Sequence, residues 1–376
     1  MKKIFVAAFL LLFSSALFAA PGRATTDSLI VSGDLTATLP KNIVLLIGDG
    51  MGLTQISAGL YSNGNQLQLE RFPVIGLHKS YAYDDLVTDS ASGATAFACG
   101  VKTYNAAIGV DKDTLPVVTI AEILKKRGYK TGIVATCSMS HATPASFFAH
   151  VASRKMYEEI AAFLPESGLD IFIGGGKKYL EKRTVDNRNI ITELEQKGYQ
   201  VADFAGADLS QVSGKGDTKY GFFTADEEPV SKLEGRDYFM PAVETAYRFL
   251  EESSEKGFFL MVESSQIDWG GHANNSDYII SEMIEFDQVI GKVLDWAKED
   301  GETLVIVTAD HETGGYAINP GSTMEKIVPG FTTGSHTATL IPVFAFGPGA
   351  ALFNGIYENS DIFHKMLKAL EDASSK

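Results

Sequence analysis

The sequence contains few cysteines and, beyond its first residues, no long apolar run. Cys99 and Cys137 are the two cysteines among 376 residues, which excludes a fold held together by many disulfides. An oxidising compartment would permit a disulfide between them, but each lies within an apolar segment, so we expect two buried free thiols. No stretch of eighteen apolar residues follows residue 20, so we expect no membrane-spanning helix there.

Basic residues are also scarce relative to acidic ones. Lys and Arg total 32 against 47 Asp and Glu, and the formal net charge is −15. Nucleic acids attract basic surfaces, so this balance argues against a nucleic-acid partner. Net charge would not attract an anionic substrate either, so metal ions and an arginine would have to bind one locally.

The amino terminus predicts a secretory signal peptide over residues 1–20. Two lysines precede an apolar stretch over 4–13, and small residues follow at Ala19 and Ala20. The stretch is too short to cross a bilayer. We therefore expect a periplasmic or secreted protein without a membrane anchor.

The rest of the chain alternates short apolar runs with amphipathic segments. This pattern predicts an α/β fold, a three-layer α/β/α sandwich with a central, mostly parallel sheet. The predicted strands are 42–47, 131–136, 170–173, 258–262, 303–308 and 342–346. The predicted helices are 90–99, 117–127, 155–164, 188–197, 239–255, 275–299 and 361–371. The predicted organisation is a flexible arm over 21–40 and a single catalytic domain over 41–376, with surface excursions near 204–237 and 313–335.

Three of the predicted strands end at residues that commonly bind metal ions. The residues that follow these strands are Asp49; Glu263, Asp268 and His272; and Asp310 and His311. Ligands of open parallel sheets bind beyond the carboxyl ends of the strands, so we expect these side chains to converge. Carboxylates with imidazoles suit a zinc or mixed zinc/magnesium centre. The pattern therefore indicates a metal-assisted hydrolase.

Residues 88–96 carry a possible nucleophile. Polar residues lead into a run of small residues, which predicts a helix amino terminus, where backbone N–H groups favour an anion. Ser90 could become phosphorylated there after activation by a metal ion. A capped helix packed through small residues explains the same segment, and neighbouring serine and threonine residues leave the choice of Ser90 open.

Six segments, in order over residues 41–340, resemble the alkaline phosphatase family. The matching segments are Gly48-Asp49-Gly50-Met51-Gly52, Asp89-Ser90-Ala91-Ser92-Gly93-Ala94-Thr95-Ala96, His141-Ala142-Thr143 with Arg154, Glu263-Ser264-Ser265-Gln266-Ile267-Asp268 with His272, Ala309-Asp310-His311-Glu312-Thr313-Gly314-Gly315, and Gly334-Ser335-His336-Thr337. The resemblance implies an exported phosphomonoesterase with two Zn²⁺ and one Mg²⁺ per chain. It also implies that orthophosphate inhibits as the product, and that the protein forms a homodimer.

The resemblance assigns a role to each matching residue. Asp268, His272 and His336 would bind the first zinc, and Asp49, Asp310 and His311 the second. Asp49 would also bridge to a magnesium-type site completed by Thr143 and Glu263. Ser90 would be the nucleophile that forms a phosphoserine, Arg154 would bind the phosphate, and Asp89 would support the site.

Two residues depart from the pattern of some family members. His141 and Trp269 stand where those members have an aspartate and a lysine. Losing a lysine removes positive charge near the phosphate, so we expect weaker phosphate retention, and His141 would loosen magnesium selectivity. The interval between His311 and His336 is short, which predicts a small crown insertion and a reduced dimer interface.

Other hydrolases share such metal scaffolds. A phosphodiesterase would more often use threonine as its nucleophile, a sulfatase would need a modified cysteine motif, and a cytosolic phosphoglycerate mutase would not need a signal segment. From a different class, an exported metal- or phosphate-binding protein without activity would explain the ligands. The presence of a nucleophile and an arginine argues against that alternative.

Overall fold

The computed structural model describes residues 39–205, 208–214 and 216–371. The predicted signal peptide over 1–20 and nearly all of the predicted arm over 21–40 lie outside these ranges. Within them, no helix is both long enough and apolar enough to cross a membrane.

A central sheet organises the described part of the chain. Its strands are β1 (Asn42–Gly48), β2 (Val74–Lys79), β3 (Lys130–Ser138), β4 (Ile171–Gly175), β5 (Tyr199–Asp203), β6 (Lys219–Phe223), β7 (Phe258–Ser264), β8 (Thr303–Thr308), β13 (Ile341–Phe346) and β14 (Gly355–Glu358). Four two-residue strands lie outside it: β9 (Glu312–Thr313), β10 (Ala317–Ile318), β11 (Pro329–Gly330) and β12 (His336–Thr337). The order in the central sheet is β14-β2-β13-β8-β1-β7-β3-β4-β6-β5. β13 pairs antiparallel with β2 and β8, and the other neighbouring strands are parallel.

Helices cover both faces of this sheet. They are α1 (Leu53–Ser62), α2 (Ser90–Cys99), α3 (Ile120–Lys126), α4 (Ala142–Ala145), α5 (Tyr157–Ala161), α6 (Lys178–Glu181), α7 (Ile190–Gln196), α8 (Phe239–Ser253), α9 (Gln266–His272), α10 (Ser276–Asp300) and α11 (Asp361–Ala369). Alternate residues of β1 enter two separate cores. Ile43 and Leu45 pack with residues of α2, α3 and α11, whereas Val44 and Leu46 pack with residues of α8 and α10. The predicted three-layer α/β/α fold is confirmed.

The sequence predicted the fully buried strands better than the partly exposed ones. β1, β7 and β8 are buried at every residue, and each was predicted from its continuous apolar run. β2, β5 and β14 lie nearer the sheet ends and mix buried with exposed residues, so they carry no clear apolar run. The segment 204–237, predicted to be a surface excursion, also contains β6, which pairs with β4 and β5 inside the sheet.

The register of the three central strands aligns their carboxyl ends. Ile47 of β1 pairs with Glu263 of β7 on one side and with Thr308 of β8 on the other. The residues that follow β1 and β8 therefore lie at the same edge of the sheet as Glu263. β3 borders β7, and its last residues reach this edge as well.

Candidate active site

The first group of possible metal ligands consists of Asp49, Asp310 and His311. One ligand atom from each lies within 4.8 Å of the other two. His311 Nε2 is 3.5 Å from Asp49 Oδ1 and 3.3 Å from Asp310 Oδ2, and all three side chains are buried. Gly50 Nα–H donates to Asp310 Oδ1 at 3.2 Å, which orients that carboxylate and leaves Oδ2 directed toward His311.

The second group consists of Asp268, His272 and His336, with ligand atoms again within 4.8 Å of one another. Asp268 and His272 are four residues apart on α9, so they share one face of the helix. His272 Nε2 is 3.3 Å from Asp268 Oδ2 and 3.1 Å from His336 Nε2. Nδ1 of His272 donates to Gly334 O and Nδ1 of His336 donates to Thr88 O, each at 2.8 Å. These bonds direct both Nε2 atoms toward one position, as metal-binding histidines require.

Close packing of β1 against α9 brings the two groups together. Gly50 has a φ of 72°, and a Cβ atom there would lie 2.7 Å from Asp268 Cα. A larger residue would therefore separate Asp49 from Asp268. Glycine is required both for this left-handed conformation and for the contact.

A third group contains Glu263, His141 and Cys137, whose ligand atoms also lie within 4.8 Å of one another. Glu263 lies one residue before the end of β7, Cys137 lies on β3, and His141 follows β3 by a short turn. Thr143, one of the predicted magnesium ligands, is fully buried on α4. The sequence prediction treated Cys137 only as a buried thiol, because a lone cysteine in an apolar strand carries no metal-binding spacing.

Ser90 begins α2 beside the first group. Its Oγ lies 3.2 Å from His311 Nε2. Asp89 caps the helix, because its Oδ1 accepts hydrogen bonds from Ser92 N at 3.0 Å and from Ala106 N at 3.1 Å. The predicted helix start is thus observed, and the tertiary structure distinguishes Ser90 from the neighbouring hydroxyl residues. Ser92 Oγ instead donates to Thr103 O at 2.9 Å.

Arg154 contacts both Asp89 and His141. Its Nη1 donates to Asp89 Oδ2 at 3.1 Å, and its Nη2 is 3.4 Å from His141 Nε2. Trp269, on α9, packs edge-on against His141 with 6.0 Å between the ring centroids. Contacts therefore connect Asp89, which precedes Ser90, to Arg154, His141 and Trp269.

Comparison with known proteins identifies this arrangement. The family model described as alkaline phosphatase matches residues 40–330, which include all three groups except His336. The chain belongs to the alkaline phosphatase family. It is 33% identical to alkaline phosphatase 3 of Bacillus subtilis, covering 88% of this chain and 89% of the relative. It is 32% identical to the alkaline phosphatase of Escherichia coli, covering 93% and 91%.

Solved structures give the same result. A structure of alkaline phosphatase from the Antarctic bacterium TAB5 superposes with a TM-score of 0.83 and 48% identity, covering 88% of this chain and 98% of that one. A cold-active alkaline phosphatase from Shewanella gives a TM-score of 0.79 and 29% identity, covering 88% and 100%. This alkaline phosphatase is therefore a phosphomonoesterase of α/β fold.

The carboxylates of this phosphatase fit bound metal ions. Burial raises the pKa of Asp49 well above its ordinary value, and the charges of Asp310, Asp268 and Glu263 raise it further. Burial likewise raises the pKa of Glu263 to about 8 and that of Asp310 to about 6. Both oxygens of Asp49, Oδ2 of Asp310 and Oε1 of Glu263 are buried and accept no hydrogen bond from the residues that the structure describes. Cations would stabilise this crowded negative charge, and buried polar atoms otherwise need partners.

The pKa values of three histidines at the site are shifted as well, one upward and two downward. The hydrogen bond and charge of Asp268 raise the pKa of His272 to about 9, despite the opposing effect of its burial. Burial lowers the pKa of His311 well below its ordinary value, and the nearby charge of His336 lowers it further. Burial also lowers the pKa of His141 to about 3, with Arg154 as the next cause. His311 and His141 are therefore neutral near pH 7 and keep a nitrogen lone pair for a metal ion or a hydrogen bond.

Two further residues support the site, and both lie in a segment that resembles the family, although the sequence analysis assigned neither a ligand nor a catalytic role to them. Thr313 Oγ1 donates to Asp268 Oδ1 and lies 3.2 Å from His311 Nδ1, so one hydroxyl contacts both the first and the second group of possible ligands. Glu312 accepts from Gln55 Nε2 at 2.8 Å and from Tyr316 N at 3.0 Å, which connects the segment after β8 to α1. Glu312 and Thr313 are the two residues after His311, and this position beside a predicted metal ligand was the sequence feature that could have indicated their roles.

Proposed function

We propose that this phosphatase hydrolyses a broad range of phosphate monoesters through a phosphoserine on Ser90. The observation that carries the proposal is the 3.2 Å distance between Ser90 Oγ and His311 Nε2, which places the hydroxyl against one ligand group. Asp268, His272 and His336 form a second group nearby, since the charge of Asp268 affects Asp49 and Asp310. Two ligand groups beside one hydroxyl suit an in-line displacement at phosphorus.

Two Zn²⁺ ions and one Mg²⁺ are the cofactors we propose. Asp268, His272 and His336 would hold one zinc, Asp49, Asp310 and His311 the other, and Asp49, Thr143 and Glu263 the magnesium. When bound, these ions would supply positive charge around the phosphate and lower the pKa of the hydroxyl groups beside them. The nitrogen-containing sets suit zinc, and the all-oxygen set suits magnesium.

The side chains of the protein would then act in two displacements. Ser90 Oγ loses its proton and forms a bond to phosphorus, while the bond between phosphorus and the ester oxygen breaks and that oxygen takes up a proton as the alcohol. A water oxygen next forms a bond to phosphorus while the Oγ–P bond breaks, which releases orthophosphate and restores the serine. Arg154 would bind two phosphate oxygens through its planar guanidinium, and Asp89 would hold that guanidinium in place.

The proposal also covers the location of the enzyme, its assembly and its inhibition by the product. The amino-terminal sequence supports export to the periplasm or beyond the cell, and the family resemblance supports a homodimer. Orthophosphate is expected to inhibit, because the product occupies the position of the substrate phosphate.

A substrate comparison tests the proposal. We expect the purified protein to hydrolyse a chromogenic phosphate monoester at least about 10²-fold faster, in kcat/KM, than the matching diester, because a second ester group removes a charged oxygen that Arg154 would bind. Steady-state assays with both esters measure the ratio. A preference for the diester would assign the protein to the phosphodiesterases. Absence of turnover of either ester, with metals bound, would favour a binding protein.

A substitution at Trp269 tests how the protein retains phosphate. Trp269→Lys would add a positive charge beside His141 and the phosphate position, so we expect the inhibition constant of orthophosphate to fall about tenfold, which corresponds to about 1.4 kcal/mol. Slower product release should lower kcat at the same time. Trp269→Phe, which removes the indole without adding charge, is the control and should retain the wild-type constant. Equal phosphate affinity in all three proteins would disprove the charge argument.

A further inference from the structure

Cys137 adds a sulfur atom to the third ligand group, whereas the ligands of the proposed magnesium site are all oxygen atoms. Its Sγ lies 3.2 Å from Glu263 Oε2, and one nitrogen of His141 lies within 4.8 Å of both. The group therefore presents one sulfur, one nitrogen and one oxygen atom. Sulfur and imidazole ligands favour zinc and similar ions, whereas magnesium strongly prefers oxygen.

Two polar atoms of this group lack partners among the described residues, although Glu263 Oε2 accepts a hydrogen bond from the Cys137 thiol. His141 Nδ1 and Glu263 Oε1 are both buried, and neither forms a hydrogen bond with the residues in the described ranges. The side chain of Glu263 is fully buried, so this oxygen cannot reach bulk water. A buried carboxylate oxygen and a buried ring nitrogen without partners point to a ligand that is able to bind both.

We propose that Cys137, His141 and Glu263 form a site for a thiophilic divalent cation such as Zn²⁺, Co²⁺ or Cd²⁺, which competes with Mg²⁺ for Glu263. Tetrahedral zinc with ordinary bond lengths places its ligand atoms roughly 3.6 Å apart. The sulfur and oxygen atoms are already 3.2 Å apart, and the group as a whole spans no more than 4.8 Å. Small side-chain movements would complete the coordination.

Binding would change both the thiol and the magnesium site. The Cys137 thiol would lose its proton to solvent as the sulfur–metal bond forms, since the thiolate is the ligand. Both ligand sets use Glu263, and two divalent cations at adjoining positions repel each other, so the thiophilic ion would weaken magnesium binding. The competition rests on the magnesium site of the proposed function, whereas binding of the thiophilic ion by Cys137, His141 and Glu263 does not require phosphatase activity.

Absorption spectroscopy with Co²⁺ tests this site without measuring hydrolysis. A cobalt–thiolate bond gives a charge-transfer band in the near ultraviolet. The two zinc-type groups contain only oxygen and nitrogen ligands and give no such band. We expect the full-length protein, freed of metals and titrated with Co²⁺ in the absence of Mg²⁺, to develop the band. Added Mg²⁺ should then reduce it.

The second cysteine provides a matched control. Cys99 is also buried and free, but its thiol donates a hydrogen bond to the carbonyl of Val117 at 3.5 Å, and it belongs to none of the three ligand groups found among the described residues. We expect Cys99→Ser to keep the band and Cys137→Ser to lose it, with circular dichroism showing that both variants fold.

Two results would overturn the proposal. One is the absence of a band from the wild-type protein at saturating Co²⁺. The other is a band of wild-type intensity in Cys137→Ser. The magnesium titration uses the wild-type protein alone, so it remains decisive even where the Cys137 variant fails to fold. A band that magnesium leaves unchanged would refute the competition for Glu263. Failure of phosphate monoester hydrolysis would affect the proposed function and not this spectrum.

Discussion

Replacement of Ser90 by alanine should remove nearly all turnover of phosphate monoesters. The variant lacks the oxygen that lies 3.2 Å from His311 Nε2 and that would bond to phosphorus. We expect kcat to fall by at least about 10³-fold, in the range seen when a nucleophile is removed from other hydrolases. Quenching the wild-type enzyme in acid during turnover should trap a phosphorylated protein, and mass spectrometry should locate the phosphate on Ser90.

Ser92→Ala is the control for this experiment. Ser92 lies on the same helix and is equally buried, but its hydroxyl donates to Thr103 O rather than facing the ligand groups. Loss of that hydrogen bond should cost about 1 kcal/mol of stability and leave kcat near the wild-type value. Wild-type turnover by Ser90→Ala would instead mean that water attacks the phosphate directly.

Removal of divalent metals should abolish activity and destabilise the protein. The carboxylates of Asp49, Glu263, Asp268 and Asp310 are buried close together, and the charges of the other three raise the pKa of Asp49, so bound cations would stabilise the folded protein. An ion that binds only the folded state stabilises it more as the ion concentration rises above the dissociation constant. At an ion concentration of a thousand times the dissociation constant, the stabilisation is about 4 kcal/mol. We expect chelation to lower the thermal midpoint by several degrees, and added Zn²⁺ and Mg²⁺ to restore both the midpoint and the turnover.

The metal-free protein should also lose stability as the pH rises from 7 to 9. Glu263 has a pKa of about 8 when folded against 4.5 when unfolded, and His272 about 9 against 6.5, so the folded protein binds more protons in this window. Stability therefore falls as the pH passes through the two folded values, and Glu263 alone contributes about 1.4 kcal/mol. Metal binding requires deprotonated ligands and strengthens with pH, so the gap between loaded and metal-free protein should widen.

Thermal melts at pH 7 and pH 9, with and without metals, measure these effects. Glu263→Gln is the matched variant, because it keeps the shape of the side chain but removes its titration. Its metal-free form should depend less on pH than the metal-free wild type does. Equal melting midpoints for the loaded and metal-free wild-type protein at both pH values would contradict a structural role for the ions.

Much of the site could be anticipated from the ends of three strands. The apolar runs before Asp49, Glu263 and Asp310 predicted buried parallel strands, and the carboxyl ends of such strands meet at one edge. Asp268 and His272 were anticipated because they follow β7 closely, whereas helix α9, which places both side chains on one face, was not predicted. The roles of these residues as ligands remain predictions that the experiments above test.

His336 could not be placed by local pattern. It follows a glycine-rich excursion, and its position depends on the hydrogen bond from its Nδ1 to Thr88 O, which lies far away in sequence. Arg154 also needed tertiary information, since its contact with Asp89 joins two loops. The family resemblance supplied expectations for both residues that residue spacing did not.

The sequence by itself determined the fold class and the set of side chains available for chemistry. Long buried strands and amphipathic helices can be recognised from the order of apolar residues, because the faces that are buried set the spacing of those residues. Tertiary structure alone decided that Ser90, rather than Ser92, faces His311, and that Cys137 joins His141 and Glu263. Those relations depend on distances between side chains on different strands and helices, and such distances are set by packing rather than by neighbouring residues in the chain.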